Sequence, residues 1–528
     1  MALCLPRRCR RLMAVLLATV AGLAQAQEGG APMSAIDWLS RSVETPAVAA
    51  AGPRPGLRPP VPGEPPVSEN ATSPDVSVAP LDAASPDSVG LLPPEVTGLP
   101  RSLWSGSSVD LLTDLIHAER VETLPALQEL IITLMLVEAD PPMGATPDGR
   151  MFLARIDKLL DLGALDQALA LLDEAGPDSP TLFRRWFDVS LLTGTEQEAC
   201  TLLRSKPEFA PTYQARIFCL ARNGQFDAAV LVLNTGEALG DISPEEDALL
   251  ARFLDPDLFE GEGPLPPPSR PSPLVFAMRE AIGERLSTGT LPRAFAHADL
   301  RDTAGWRNQM EAAERLARVG AVDPNRLQAL YTERTPAASG GVWDRAAAFQ
   351  RFDTAVAAGN ADAVAQTLPV AFDAMETARI EIPFAQLYSA QLATVDLTDE
   401  AAALAFRVRL LSSAYESAAL SYRPQTPEDR FLAGVARGTV DLSDAPDTPA
   451  GRAVAEAFSG HPAPDALATL ARNGRLGEAI LRAIALISEG TSGDPVAVRD
   501  GLSFFRSVGM EDLARRTALQ YLILDRAP

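Results

Sequence analysis

Gly163-Ala164-Leu165-Asp166-Gln167-Ala168 separates two amphipathic segments, and how it is read decides the fold. Glycine suits the left-handed turn that ends one helix. The alanine five residues on lets the next helix approach the first closely. The same glycine-to-alanine step recurs at Gly194/Ala199, Gly224/Ala229, Gly474/Ala479 and Gly509/Ala514. The first three glycines stand 31 and 30 residues apart, the length of one helix-turn-helix unit. In three copies the residue two after glycine is apolar (Leu165, Phe226, Leu476), placed to cap the gap between the paired helices. Fainter copies follow Gly320 and Gly359, at Leu327-Gln328-Ala329-Leu330 and Ala363-Val364-Ala365.

Around these turns, from Leu103 onward, the chain keeps a helical period in segments of 10–15 residues, and no sustained two-residue alternation competes with it. The expected fold is all-α: a helix-turn-helix repeat solenoid. At these turns the chain resembles tetratricopeptide-type repeats, most clearly over 150–240 and 465–525. Its spacing departs from the usual 34 residues, and the paired Trp/Leu-Gly signature of that family is missing. The resemblance implies a stack of helix pairs whose concave face binds peptides or proteins.

The N-terminus reads differently. Arg7, Arg8, Arg10 and Arg11 precede an apolar run from Leu12 to Leu23, and Ala24-Gln25-Ala26 offers a small-x-small cleavage site. This is the pattern of an export signal over 1–26, cleaved after Ala26 by the general secretory route, and it places the mature chain in the periplasm or outside the cell. No later stretch is apolar enough for stable membrane insertion. Four cysteines occur, and Cys4 and Cys9 leave with the signal. The remaining pair, Cys200 and Cys219, falls on helices flanking the turn Ser205-Lys206-Pro207-Glu208, and a disulfide is expected.

Residues 27–100 hold 15 of the 45 prolines, so 45–100 reads as a disordered proline-rich linker. Before it, 27–44 contains a short amphipathic motif: Ser34 as N-cap, then Ile36, Trp38, Leu39 and Val43 at helical spacing. That motif is a candidate docking helix, either on the protein's own solenoid or on a partner. Six prolines between Pro264 and Pro273 predict a break at 261–274, dividing a helical block 101–260 from a second, 275–528.

Chemistry-bearing patterns are few. The chain of 528 residues carries a net charge of −23, which repels nucleic-acid backbones and anionic membranes. Its only lysines, Lys158 and Lys206, stand in no phosphate-binding loop. His117, His297 and His461 have no metal-ligand spacing, and the acidic loop Asp255-Pro256-Asp257 with Glu260 and Glu262 departs from the calcium-loop pattern. Trp104, Trp186, Trp306 and Trp343 read as core, and Ser339-Gly340-Gly341-Val342-Trp343-Asp344 as a turn or exposed loop. No catalytic residue, cofactor or metal is expected.

The expected function is that of a non-enzymatic periplasmic adaptor with a protein or peptide partner. In its layout of signal, proline-rich segment and helical repeats, with Leu103–Pro142 similar in texture to a first helix pair, the chain resembles the periplasmic motility protein C class. That resemblance implies a flagellar-motor accessory acting with stator subunits. An envelope hydrolase with an unrecognised carboxylate site is the alternative from another class.

Overall fold

A computed structural model describes residues 85–524. The signal segment 1–26, the motif Ile36, Trp38, Leu39 and Val43, and the linker up to residue 84 lie outside the described residues. Within 85–524 the fold is all-α, an array of helix pairs without a β-strand among the described residues.

In chain order the helices begin with α1 (Pro94–Thr97), α2 (Val109–Ala118), α3 (Pro125–Leu136), α4 (Arg150–Leu162) and α5 (Leu165–Ala175). Next come α6 (Pro180–Thr193), α7 (Glu196–Ser205), α8 (Tyr213–Arg222), α9 (Phe226–Leu239) and α10 (Pro244–Leu254). The middle comprises α11 (Pro273–Ala281), α12 (Ala296–Asp299), α13 (Trp306–Ala317), α14 (Pro324–Thr332) and α15 (Val342–Ala357). Then follow α16 (Ala361–Ala378), α17 (Glu381–Leu392), α18 (Asp399–Leu410), α19 (Tyr415–Ser421) and α20 (Pro427–Arg437). The last five are α21 (Pro449–Phe458), α22 (Asp465–Arg472), α23 (Leu476–Gly490), α24 (Pro495–Ser507) and α25 (Glu511–Ile523).

Many of the prolines start helices. Ser179-Pro180, Ser243-Pro244, Ser272-Pro273, Asp323-Pro324, Thr426-Pro427, Thr448-Pro449 and Asp494-Pro495 each place a capping side chain before a proline in the first turn. The cap oxygen accepts an otherwise unpaired N–H, and proline occupies a position whose own N–H has no intrahelical partner.

The five turn glycines, Gly163, Gly194, Gly224, Gly474 and Gly509, all sit in the left-handed region, with φ between 74° and 85°. Their companions Ala168, Ala199, Ala229, Ala479 and Ala514 are all fully buried. A larger side chain at any of these alanines would push the paired helices apart.

The helix that organises the fold is α3. Its sequence, Pro125-Ala126-Leu127-Gln128-Glu129-Leu130-Ile131-Ile132-Thr133-Leu134-Met135-Leu136, is apolar almost all round, so it needs neighbours on several sides. It packs on α4 and on α25, nearly 400 residues away in sequence. Gln520 of α25 accepts the Ala126 N–H at the start of α3 (2.8 Å), and Arg516 pairs with Glu129 (2.6 Å). Beside them Trp104 is fully buried against Gly477 of α23, where a Cβ would stand 2.5 Å from the indole ring. Ser107 donates to the buried Glu478 carboxylate (2.9 Å). The last helices therefore close on the first.

Two sequence-level boundaries move. The segment 85–100, read as the end of the linker, is part of the fold. Buried Asp87 accepts from the Phe152 N–H in the first turn of α4 (2.7 Å), a carboxylate at a helix N-terminus. The fully buried Arg155 guanidinium donates to the carbonyls of Met135 (2.7 Å), Val137 (3.1 Å) and Val89 (2.8 Å), fastening this segment to the end of α3. Nor does the proline run 261–274 separate two cores. Arg279 donates to the Leu265 carbonyl (3.1 Å), α11 packs on α6, and one hydrophobic cluster runs from Leu99 to Leu524.

Two outcomes are expected. Trp104→Ala should lower stability by about 3–5 kcal/mol, read from chemical denaturation, because it empties the contact between the two chain ends; a change within experimental error would contradict the packing. The second concerns Glu119 at the end of α2. Burial pushes its carboxyl up to about 8 from an ordinary 4.5, and the Lys158 charge offsets this only in part. The unfolded chain ionises Glu119 from about 4.5 upward while the fold keeps it protonated, so its contribution is full below that pH and is lost as pH rises to about 8. Glu119→Gln should match the parent protein near pH 4.5 and exceed it at pH 8.5 in urea midpoint; equal midpoints at pH 8.5 would contradict the assignment.

Candidate partner-binding face

The glycine-to-alanine repeats of the first stack end with α9, on which α10 packs, and the sequence of α9 is unusual for this place. Phe226-Asp227-Ala228-Ala229-Val230-Leu231-Val232-Leu233-Asn234-Thr235-Gly236-Glu237-Ala238-Leu239 contains only Asp227, Asn234, Thr235 and Glu237 as polar side chains. Such a composition is that of a helix enclosed by protein. The structure covers one side of it. Ala229, Leu233 and Gly236, spaced i, i+4 and i+7, face inward, and Gly236 permits close contact with Ile242. Phe226 is 52% exposed, Val230 44%, Leu231 67% and Leu239 64%.

The expectation that Phe226 caps its helix pair, as Leu165 does, is therefore overturned. Leu165 is fully buried, and its turn is roofed by Leu316 and Arg293, which would meet a Cβ on Gly163 at 2.8 and 3.0 Å. At Gly224 no atom stands within 4 Å of such a Cβ. The roof over the first turn comes from α13 and the segment before α12. After α10 the proline run carries the chain to α11, which packs on α6, and among the described residues nothing roofs Gly224 as Leu316 and Arg293 roof Gly163.

The scaffold beneath the face is cross-linked. Cys200 on α7 and Cys219 on α8 form the expected disulfide, with Cα atoms 4.8 Å apart and a sequence separation of 19. The two helices are antiparallel neighbours, and Asn223 donates to the Cys200 carbonyl (3.1 Å). Phe183, Phe187, Phe218 and Phe253 continue inward as a ladder of ring contacts. Beside the disulfide a cleft of about 250 Å³ is walled by Leu203, Pro207, Ala210 and Leu220 and edged by Arg204 and Arg216; it reaches Gln225, one residue before α9. Toward the C-terminal end of α9 lie carboxylates: the neighbouring Asp247 raises the pKa of Glu237, and Asp241 follows the helix end.

The remaining singled-out residues do not converge on a second site. His297 is buried with Nε2 2.6 Å from the Gly163 carbonyl, His117 is partly buried near Lys158, and His461 lies 3.6 Å from Asp500. In the acidic loop Glu262 pairs with Arg252 (3.0 Å). Trp186 and Trp104 are core residues, and Trp306 donates to the Leu330 carbonyl (2.8 Å) while packing on Trp343. The Ser339–Asp344 string is a turn through Gly340 and Gly341, both at positive φ, that opens α15.

Sequence reasoning placed the disulfide and the turns but missed the exposed face. Its available signal was the scarcity of polar residues in 226–239, which reads equally as core. Removing the disulfide with the pair Cys200→Ala and Cys219→Ala should cost roughly 3 kcal/mol, the closure entropy of a loop this size. An unchanged denaturation midpoint in the oxidised parent and the double variant would contradict that.

No family model, no curated protein and no solved structure matches this chain.

Proposed function

We propose that the protein is a non-enzymatic interaction scaffold of the periplasm, holding a partner protein through the α9 face of its first repeat stack. The single observation that carries the reading is the exposure of Phe226, Val230, Leu231 and Leu239 on one helix. Four of the eleven large apolar side chains exposed among the described residues lie on this one helix, and such clustering marks an interaction site. The partner chemistry it suits is an amphipathic segment offering apolar side chains at helical spacing.

The compartment rests on the export signal read over 1–26, and the disulfide is in keeping with an oxidising environment. No helix among the described residues is long and apolar enough to cross a membrane.

Photo-crosslinking tests the reading. A benzophenone side chain at position 231 should give adducts with a defined envelope protein, identified by mass spectrometry, and the adduct should vanish when Phe226→Ser and Val230→Ser are added. The same group at position 420, where Leu420 is equally exposed on α19, serves as the control. Adducts from 231 no more abundant than those from 420 would sink the proposal.

A further inference from the structure

Two neighbouring clefts open where the first, middle and last parts of the described chain meet. The larger, about 420 Å³, lies between α3, the α13–α14 turn and the α16–α17 turn. The smaller, about 150 Å³, lies between the α2–α3 connection and the segment that follows α23. Arg318 and Arg379 stand in the walls of both. We propose that this junction binds a small organic anion, its oxyanion held by Arg318 and Arg379 and its apolar body lying in the larger cleft. No residue of α9 lines either cleft, so the site stands apart from the partner face.

Charge is the first support. The chain carries −23, yet arginines gather here with donors to spare. Arg318 Nε donates to the Ala378 carbonyl (2.6 Å), which ties Arg318 to the residue just before Arg379. Its contact with Glu314 is loose (3.8 Å), and that carboxylate already accepts both bonds of the Arg345 fork (2.8 and 2.7 Å). The guanidinium of Arg379 has no ion-pair partner among the described residues. Arg120, in the wall of the smaller cleft, reaches only the Ser488 carbonyl (3.4 Å) and Ser492 Oγ (3.5 Å). The acids in these walls are engaged elsewhere. Glu122 pairs with Arg293, Glu129 pairs with Arg516 (2.6 Å), and Asp323 caps α14 by accepting from the Asn325 N–H (2.7 Å). The N-terminal end of α3, with no acid in its first turn, adds partial positive charge. Planar guanidiniums with unfilled donors match the paired oxygens of a carboxylate or a phosphate.

The backbone at Arg379 is the second support. Six described helices end on a left-handed residue, and in five of them it is glycine: Gly98, Gly163, Gly194, Gly240 and Gly438. The sixth is Arg379, at φ 57°. A side chain strains this conformation, so folding alone favours glycine there. Arginine instead sets a guanidinium where the two clefts adjoin.

The third support is the apolar wall. Leu92, Ile132, Leu136, Val322, Ile382 and Pro383 line the larger cleft. Sites for small molecules combine walls of this kind, at this volume, with a few charged groups that fix orientation. An inorganic ion would leave the walls wet, whereas an alkyl or aryl body covers them. The ligand class is therefore an anionic amphiphile, with either a carboxylate or a phosphate monoester as its head.

Isothermal titration calorimetry on the disulfide-intact, full-length protein tests the site with four probes: decanoate, monodecyl phosphate, inorganic phosphate and decanol, each kept below its micellar or solubility limit. One or both amphiphilic anions should bind about tenfold more tightly, or better, than inorganic phosphate and decanol, and the tighter of the two names the head group. Arg379→Gly should weaken that binding about tenfold, the loss of a charge-assisted contact, while its thermal midpoint does not fall, because glycine accepts the left-handed backbone. Inorganic phosphate binding as tightly as the amphiphiles overturns the role of the apolar cleft. Decanol binding as tightly as decanoate and monodecyl phosphate overturns the role of the arginines. Unchanged affinity in Arg379→Gly, or no binding by either amphiphile, overturns the site altogether.

Discussion

The burial of α3 is the constraint on which the rest of the structure depends. An amphipathic helix needs one covered side, but a helix with Leu127, Leu130, Ile132, Met135 and Leu136 spread round its surface needs more than its sequence neighbours provide. The α4 helix covers part. The remainder falls to α25, which arrives at the other end of the chain with Gln520 satisfying a backbone donor of α3 and Arg516 pairing with Glu129. An open solenoid leaves its end repeats to be capped by polar surface. Here the two ends cap each other, and Trp104 in the notch at Gly477 locks the joint.

Closure has two consequences. Polar groups trapped near the joint must be paired, and most are: Arg155 donates to four carbonyls, and Lys158 to the carbonyls of His117 and Glu119. Glu119 itself pays for its position by staying protonated well above the ordinary range. The other consequence concerns surface. With the first and last described helices packed together, the partly covered helix appears in the interior of the sequence, at α9, where the route through the proline run leaves four large apolar side chains exposed. A site of this kind is produced by topology, with no catalytic constellation behind it.

Much of the architecture was legible in advance because it is local. A glycine that must take positive φ, and an alanine that must let two helices touch, are stated by the residue types at Gly163/Ala168 and its four copies. The Cys200–Cys219 pair follows from one turn between two antiparallel helices. What was not legible depends on contacts far apart in sequence. Nothing in Ser107 points to Glu478, and Phe226 and Leu165 occupy the same place in the repeat although only Leu165 is roofed. The packing of 85–100 was hidden for another reason: its prolines suggest a solvated tail, whereas Asp87 acts at a helix terminus that the sequence does not announce. For the candidate face, an apolar helix reads as core until the neighbour that should cover it proves to be elsewhere.

Native-state hydrogen exchange in low denaturant measures the central claim most directly. If the first and last helices stabilise each other, the slowest amides of α3 and of α25 open in one cooperative event, with equal free energies and equal dependence on denaturant. If α25 opens at distinctly lower free energy while α3 remains protected, the helices at the two ends are independent and the account of closure is wrong.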